Sequence, residues 1–567
     1  MLSAIKHDIE KLLREQGIAG DIQLNPPPTS DMGDLAFGCF QIAKEQGKNP
    51  AEIALLLAEK ITISADSIII AVKAFGPYVN FYLSTPALAE MILGAITKQD
   101  RGYGSNNLGD GKKVMIEYPS QNTHKEFHIG HLRNVCIGNT LVELYKKSGY
   151  DMTVVNYIND FGANVVKCLW GILHLHKGNI PDGNIQKWLG EVYAEASTYV
   201  KEHPEVQPEI DALQTKLEAR DPEIWQLFVT TRDASLRGFE HIHSELGAIH
   251  TRLFLESEVK DRGQEIVDEL MKKGIAKEGE RGAVIIDLTE EKLDIALLRK
   301  ATGAGLYLTS DLALAEKKFS LFDVEESINI TGIEQNFYFK QLFRVLDLFG
   351  FHKKMTHIGY GLVTLPSGKM SSRAGNVILY EDLRDQMYER LYQETASRHT
   401  DWSEEKKIDT AKTLTMAALK FTMQQHEANK NIVFDFEQAV SFEGFSAPYI
   451  LYVVARIHSL MKKSERGSED QKINFEELKE EEEKKVLLLL AQYGDVVEKA
   501  LAQYNPSTMT RYCFDLAQAF NDFYNKHAIL SEENPERTTA RLMLCNAVKN
   551  VLADSLHVLT IDTVEEM

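Results

Sequence analysis

The stretch VMIEYPSQNTHKEFHIGHLRNVCIGNTLVELYKKSGYDMTVVNYI (Val114–Ile158) carries the reading of the fold. Val114–Tyr118 is a short apolar run of the kind found in strands buried on both faces. A polar loop follows, and from about Gly130 a helix begins whose apolar face includes Leu132, Val135, Leu141 and Leu144. Lys146 and Lys147 fall in its last turn, and Gly149 is placed to cap it. Met152–Ile158 reads as a second strand. Strand, helix and strand in this order make a βαβ unit, hence a parallel sheet with ligands expected at the strand C-termini.

The turn of that unit, SQNTHKEFHIGHLRN (Ser120–Asn134), holds the first candidate site. A helix N-terminus offers unpaired N–H groups and partial positive charge, which suits phosphate. Gly130 lets a nucleotide approach the backbone. His128 and His131, three apart, share one side of the helix and can donate to phosphate oxygens, and Lys125 adds a full charge. Two histidines on a helix are more often structural than functional, but their place in a βαβ unit favours function. Far downstream, LPSGKMSSRAGN (Leu365–Asn376) puts Lys369, Met370, Ser371, Ser372 and Arg373 in a Gly-flanked loop suited to closing over phosphates. Alone it would pass as a surface turn; with the first motif it points to ATP.

Residues 1–107 read as a small α/β domain. The turn-rich NPPPTSDMGD (Asn25–Asp34) precedes a stretch expected to be helical to about Lys60, then the strand-like runs SIIIAVKA and YVNFYLS. LGDGKK (Leu108–Lys113) is the joint to a Rossmann-like sheet domain, 108–400. Residues from about 170 to 300 read as a helical, charged insertion between two halves of the sheet, with AVIIDL (Ala283–Leu288) strand-like near its end. INITG (Ile328–Gly332) and THIGYGLV (Thr356–Val363) are further strand candidates. A helical domain, 401–567, carries Cys513, Leu516, Phe520 and Phe523 on one face and Leu544, Val548, Val551 and Leu552 on another. The charge-rich Lys462–Lys485 is expected to be a solvated loop and helix face.

A chain of 567 residues exceeds what one core supports, so two to four domains are expected. Composition is ordinary for a globular protein, with 44% hydrophobic and 26% charged residues, and no run of apolar residues suits a membrane span. The start reads as an amphipathic helix rather than a secretory signal. Five cysteines (Cys39, Cys136, Cys168, Cys513, Cys545) are scattered with no CxxC pair, so neither a structural metal nor a disulfide framework is expected, and a reducing cytoplasm fits. A net charge of −20 argues against a general nucleic-acid coat protein but leaves room for local basic patches.

HIGH and KMSSR stand where class I aminoacyl-tRNA synthetases carry their two ATP motifs, and the chain resembles the arginyl-tRNA synthetases in particular. GPYVNFYLS (Gly76–Ser84) looks like the end of that family's N-terminal tRNA-binding domain. YLTSDLALAEKKF (Tyr307–Phe319) and GIEQNFYFKQLF (Gly332–Phe343) look like its amino-acid pocket. FEGFSAPYILYVVARI (Phe442–Ile457) and the terminal helical stretch look like its anticodon-binding domain. The resemblance implies an arginine pocket of Glu117, Asn122, Tyr307, Asp311 and Gln335, and an ATP site of His128, Gly130, His131, Lys369, Met370, Ser371 and Ser372. It also implies tRNA contacts at Asn80, Phe81, Tyr449, Arg456 and Met567, with His128, His131, Lys125 and Lys369 as the catalytic set. Physical chemistry agrees on the pocket: a guanidinium is planar and always charged, so it needs fixed carboxylates.

Five positions depart from the family pattern. Ser372 stands where the class commonly has a second lysine, and Lys125 is placed to substitute, as in the arginyl enzymes. Gln121 and His124 replace the family's usual Pro and Ala, and Glu126 replaces a Pro. A carboxylate beside a phosphate site is unfavourable unless it points away. Ala374 stands where a lysine is frequent.

The implied reaction uses ATP as substrate with Mg²⁺ held by pyrophosphate oxygens. It joins L-arginine to tRNA(Arg) through arginyl-adenylate in a monomeric cytoplasmic enzyme, and the family generally needs tRNA bound before arginine is activated. Rival readings are a synthetase for another amino acid, a small nucleotidyltransferase, and a non-catalytic RNA-binding paralogue. The acidic pocket, the flanking domains and the intact motifs count against them in turn.

Overall fold

The computed structural model describes residues 1–303, 305–366, 378–464 and 473–567. At the N-terminus, α1 (Leu2–Glu15) packs Leu2, Ile5, Ile9 and Leu13 inward. Four strands follow, β1 (Leu24–Asn25), β2 (Leu35–Gly38), β3 (Ile69–Phe75) and β4 (Tyr78–Leu83), in the antiparallel order β1-β2-β4-β3. The helical stretch expected after the turn-rich loop is broken. LAFG is strand β2, then α2 (Phe40–Gln46) ends at a left-handed Gly47. Asn49 caps α3 (Pro50–Lys60), whose first residue is proline. Helix α4 (Thr85–Gln99) leads on toward the central sheet.

That sheet contains β5 (Lys113–Glu117), β6 (Asp151–Ile158), β7 (Arg252–Leu255), β11 (Glu326–Gly332) and β12 (Lys354–Tyr360). It is parallel throughout, in the order β12-β11-β5-β6-β7. Every residue of β11 is buried, as for a strand covered on both faces. Helix α5 (Ile129–Lys147) connects β5 to β6 with Leu132, Val135, Leu141 and Leu144 fully buried, and Gly149 beyond its end has φ +81°. The chain runs β5, β6, β7 to one side and returns as β11, β12 on the other. Direction therefore reverses between β5 and β11, and a crevice opens there at the strand C-termini.

Between β6 and β7 lie α6 (Ala163–His174), α7 (Ile185–Glu202), α8 (Gln207–Glu218) and α9 (Pro222–Leu246), with a core of their own built on Leu169, Trp170 and Phe228. The expected helical insertion at about 170–300 therefore needs correction, because it also holds β7, an edge strand of the main sheet. The run RLFL is too short and too flanked by polar residues to show strand alternation in sequence. After α10 (Glu256–Lys272) a small antiparallel sheet is formed by β8 (Lys277–Glu278), β9 (Val284–Asp287) and β10 (Ile295–Arg299). Helices α11 (Tyr307–Leu321) and α12 (Asn336–Phe349) flank β11, and a short parallel pair, β13 (Val363–Thr364) with β14 (Ile432–Val433), follows β12.

The rest is helical: α13 (Tyr380–Arg398), α14 (Glu404–Gln424), α15 (Phe436–Ala439), α16 (Ala447–Ser464), α17 (Glu481–Ala502), α18 (Ser507–Lys526) and α19 (Pro535–Val558). Both expected apolar faces are buried. The charge-rich stretch is not all solvated. Residues 465–472 lie outside the described residues, but Glu483 is fully buried against Arg541 at 2.7 Å. Lys484 reaches Asp34 at 2.7 Å and the Leu83 carbonyl at 2.8 Å, joining the helical and N-terminal domains. Among the described residues, no helix is long and apolar enough to cross a membrane.

Candidate active site

The crevice between β5 and β11 is a cleft of about 540 Å³. Glu117, Asn122, Tyr307, Asp311 and Gln335 all line it, together with His128 and His131 from the head of α5. Tyr307 and Gln335 stand exposed at the mouth, and Asn122 is joined to Asn159 by a parallel bridge.

Glu117 ends β5 at the floor. Its buried carboxylate accepts from Lys318 Nζ at 3.0 Å on one oxygen and from Asn329 Nδ2 at 2.8 Å on the other. Register explains the second contact, since Asn329 of β11 sits directly beside Glu117. Lys318 is 1% exposed, so its ammonium and Glu117 form a buried ion pair. Asp311, two helical turns before Lys318 on α11, accepts the Tyr338 hydroxyl. Burial pushes the Asp311 carboxyl up to about 7; the Tyr338 hydroxyl opposes that rise and the Glu117 carboxylate adds to it. Behind them, burial and then Asp311 raise Glu256 to about 8.

Sequence reasoning passed over Lys318, Asn329 and Tyr338. The signal was present in part: Lys318 follows Asp311 by seven residues and Tyr338 follows Gln335 by three, each a same-face spacing.

At the head of α5, His128 occupies the N-cap position and its Nδ1 accepts from the Gly130 N–H at 3.1 Å. His131 Nδ1 accepts from the His128 N–H at 3.3 Å, and the two rings stack at 3.7 Å. Burial, then Lys125, lowers His128 to about 4; burial, then His128, holds His131 well below its ordinary value. Both rings are neutral near pH 7. With each Nδ1 accepting, each Nε2 carries the hydrogen and is a donor.

Lys125 is not brought to the cleft. Its ammonium lies over the Tyr193 ring of α7, 5.0 Å from the centroid. The other loop departures face the same insertion. His124, at φ +62°, is fully buried, with its N–H donating to Ser235 Oγ at 3.1 Å and its Nε2 2.8 Å from Thr231 Oγ1. Gln121 touches His243, and its Oε1 accepts from Asn156 at 2.9 Å. Glu126 lies over Gly190 of α7, where a Cβ would sit 2.1 Å from its Cγ. Its carboxylate thus turns toward the insertion and away from α5, and burial, then Glu191, raises it to about 7. Lys369, Met370, Ser371 and Ser372, with Arg373 and Ala374, lie outside the described residues.

Two more clusters hold the remaining candidates. Asn80 is 2% exposed on β4 and lines a hollow of about 750 Å³ with Phe37, Phe40 and Tyr78; its Oδ1 has no hydrogen-bond partner among the described residues. Phe81 needs correction, because it is fully buried in the core on the opposite face of the strand. On the helical domain, Asn521 donates to the Tyr449 hydroxyl at 2.8 Å and accepts from Arg456 at 3.1 Å. The Arg456 guanidinium lies over the rings of Tyr452 and Tyr524, at 4.6 and 5.1 Å. Met567 packs partly buried on the core, and Glu566 beside it is paired with Lys406.

Comparison with known proteins matches three family models to the chain. They are the arginyl tRNA synthetase N-terminal domain over residues 1–83, the class I (R) tRNA synthetase catalytic domain over 93–436, and the DALR anticodon binding domain over 450–567. The arginine–tRNA ligase of Clostridioides difficile is 34% identical, covering 100% of this chain and 98% of its own. That of Clostridium botulinum is 33% identical over 95% of each. Among solved structures, the arginyl-tRNA synthetase of Thermus thermophilus shares the fold, with a TM-score of 0.82 at 23% identity over the full length of both chains. With one catalytic-domain model covering more than half of the chain and full-length relatives above 30% identity, the chain belongs to the arginyl-tRNA synthetases, the arginine–tRNA ligases of class I.

Proposed function

We propose that this chain activates L-arginine with ATP and transfers it to the 3′ end of tRNA(Arg). The observation that carries the reading is the cleft itself: Glu117 and Asp311 converge within it, while the donor-bearing head of α5 forms its other wall. Asp311, with Glu117 behind it, takes the guanidinium. Tyr307 closes the mouth, and Asn122 and Gln335 offer amide donors and acceptors to the amino-acid backbone.

In the first step an oxygen of the arginine carboxylate attacks the α-phosphorus of ATP, forming arginyl-adenylate as pyrophosphate leaves. The carboxylate is already ionised, so no protein base is needed; catalysis is positioning and charge stabilisation. His128 and His131 donate through Nε2, and the Gly130 backbone admits the phosphates. Lys125 leaves Tyr193 to reach them, and Lys369, Met370, Ser371 and Ser372 complete the ATP-binding set. Mg²⁺ enters with ATP as its counter-ion. In the second step a ribose hydroxyl of the terminal adenosine attacks the activated carbonyl and AMP leaves.

The tRNA is held at both ends of the molecule. The Asn80 hollow takes an unpaired base, whose N–H the free Oδ1 accepts, and the Tyr449–Arg456 cluster with Met567 meets the anticodon. We assign 1–107, 108–400 and 401–567 as the working domains of a monomeric cytoplasmic enzyme.

A charging assay with citrulline, the uncharged isostere of arginine, tests the pocket. The reading requires that citrulline compete at least about a hundredfold more weakly than unlabelled arginine. Equal competition would mean that the acids do not read the guanidinium charge.

A further inference from the structure

Arg133 lies on α5 two residues past His131 and is fully buried. Its guanidinium donates to three backbone carbonyls: Gly361 at 2.5 Å, Lys430 at 2.7 Å and Glu427 at 3.2 Å. No carboxylate among the described residues pairs with it; burial lowers it to about 10, which leaves it charged at neutral pH. A buried cation held by carbonyls alone is costly, so its position invites a reason beyond packing.

The carbonyls it gathers come from two separate segments. Gly361 joins β12 to β13, and Glu427 and Lys430 belong to the turn between α14 and β14. The segments touch closely: Gly361 N–H donates to the Ala428 carbonyl at 2.9 Å, and a Cβ at Gly361 would lie 2.3 Å from the Lys430 oxygen. Directly beyond, β13 pairs with β14, and the chain continues in sequence from β13 toward Lys369. It comes back at Ile378, whose carbonyl accepts the Ile129 N–H at 2.9 Å, while Tyr380 N–H donates to Phe127 at 3.0 Å. Both stems of the stretch that carries Lys369 are thus fastened to the first turns of α5, the return by backbone bonds and the departure by Arg133.

We propose that Arg133 is a positioning residue for adenylate formation, holding the β13–β14 stem in fixed relation to His128 and His131. This rests on the reading of Lys369 and the two histidines as the ATP-binding set. It contacts no substrate. Its part is to hold the head of α5 and the β13–β14 stem, far apart in sequence, in one frame.

The test uses the full-length protein, after wild type has been shown to charge tRNA with arginine; failure there would fault the functional reading and not this inference. Arg133→Met removes the clamp, Arg133→Lys keeps a cation with fewer planar donors, and Gly361→Ala displaces the stem while leaving the guanidinium in place. Arg133→Met and Gly361→Ala should each lower kcat by about a hundredfold, the scale of a small misplacement. KM for arginine and the dissociation constant for tRNA should stay within about threefold, and Arg133→Lys should recover part of kcat. The proposal is overturned if Gly361→Ala keeps more than about a third of wild-type kcat. It is equally overturned if kcat, arginine KM and tRNA binding all worsen in step with a lower melting temperature. Should Arg133→Met fail to fold, Gly361→Ala decides.

Discussion

The two walls of the cleft handle charge in opposite ways. On the acidic wall, the Glu117 charge is already paired with Lys318 and bonded to Asn329, and Asp311, held among the described residues only by the neutral Tyr338 hydroxyl, is the carboxylate left for a substrate that is always a cation. On the α5 wall the groups that line the cleft are neutral, two stacked imidazoles with their Nδ1 atoms committed to the backbone, while the charged Lys125 lies outside the cleft over Tyr193. The difference follows from what each wall must bind. A guanidinium brings one fixed charge and rewards a prebuilt counter-charge. A triphosphate changes its charge distribution during reaction, and mobile cations can be brought to it when it arrives.

The largest effect should come from the acidic wall. Asp311→Asn keeps the size and a hydrogen bond to Tyr338 but removes the counter-charge, and should cost about 4 kcal/mol, or about a thousandfold in kcat/KM for arginine. Steady-state charging against arginine concentration checks this, and a loss under tenfold would place the guanidinium elsewhere. His131→Ala should lower kcat by about a hundredfold and leave arginine KM unchanged, the signature of a donor acting on the phosphates. A raised arginine KM would erase the contrast between the walls.

The third test is pH. The Asp311 carboxyl sits at about 7 when the pocket is empty, whereas a bound guanidinium keeps it ionised. Below about pH 7 arginine must therefore displace a proton. KM for arginine should rise as pH falls, by up to about tenfold per unit, and level off above. Glu256, at about 8, can extend the upper end. A flat profile from pH 6 to 8 would show Asp311 ionised in the empty site. Smallest should be Lys125→Ala, at about tenfold in kcat, since its ammonium has to leave Tyr193 before it acts. An effect as large as that of His131→Ala would mean Lys125 already stands in the phosphate site.

Much of this was legible in the sequence, and the rest was lost for identifiable reasons. The β5–α5–β6 unit could be read because buried parallel strands are apolar runs, whereas the five candidates that line the cleft were named through the resemblance to the arginyl enzymes. β7 was missed because four residues cannot show a period. Phe81 was placed with Asn80 although neighbours on a strand face opposite ways; only Asn80 reaches the hollow. Gln121, His124 and Glu126 stood out as departures, but their partners His243, Thr231, Ser235 and Gly190 lie in α7 and α9, far along the chain. The Lys318–Glu117 pair escaped for the same reason, since only the fold brings α11 over the end of β5.

The central claim is that this cleft selects arginine for transfer to tRNA. It is tested most directly by incubating the purified chain with ATP, Mg²⁺ and total homologous tRNA, offering each labelled amino acid in turn. The account predicts acid-precipitable label with arginine alone. Label with a different amino acid would overturn the assignment of Glu117 and Asp311, and no label while tRNA still binds would contradict the enzymatic reading itself.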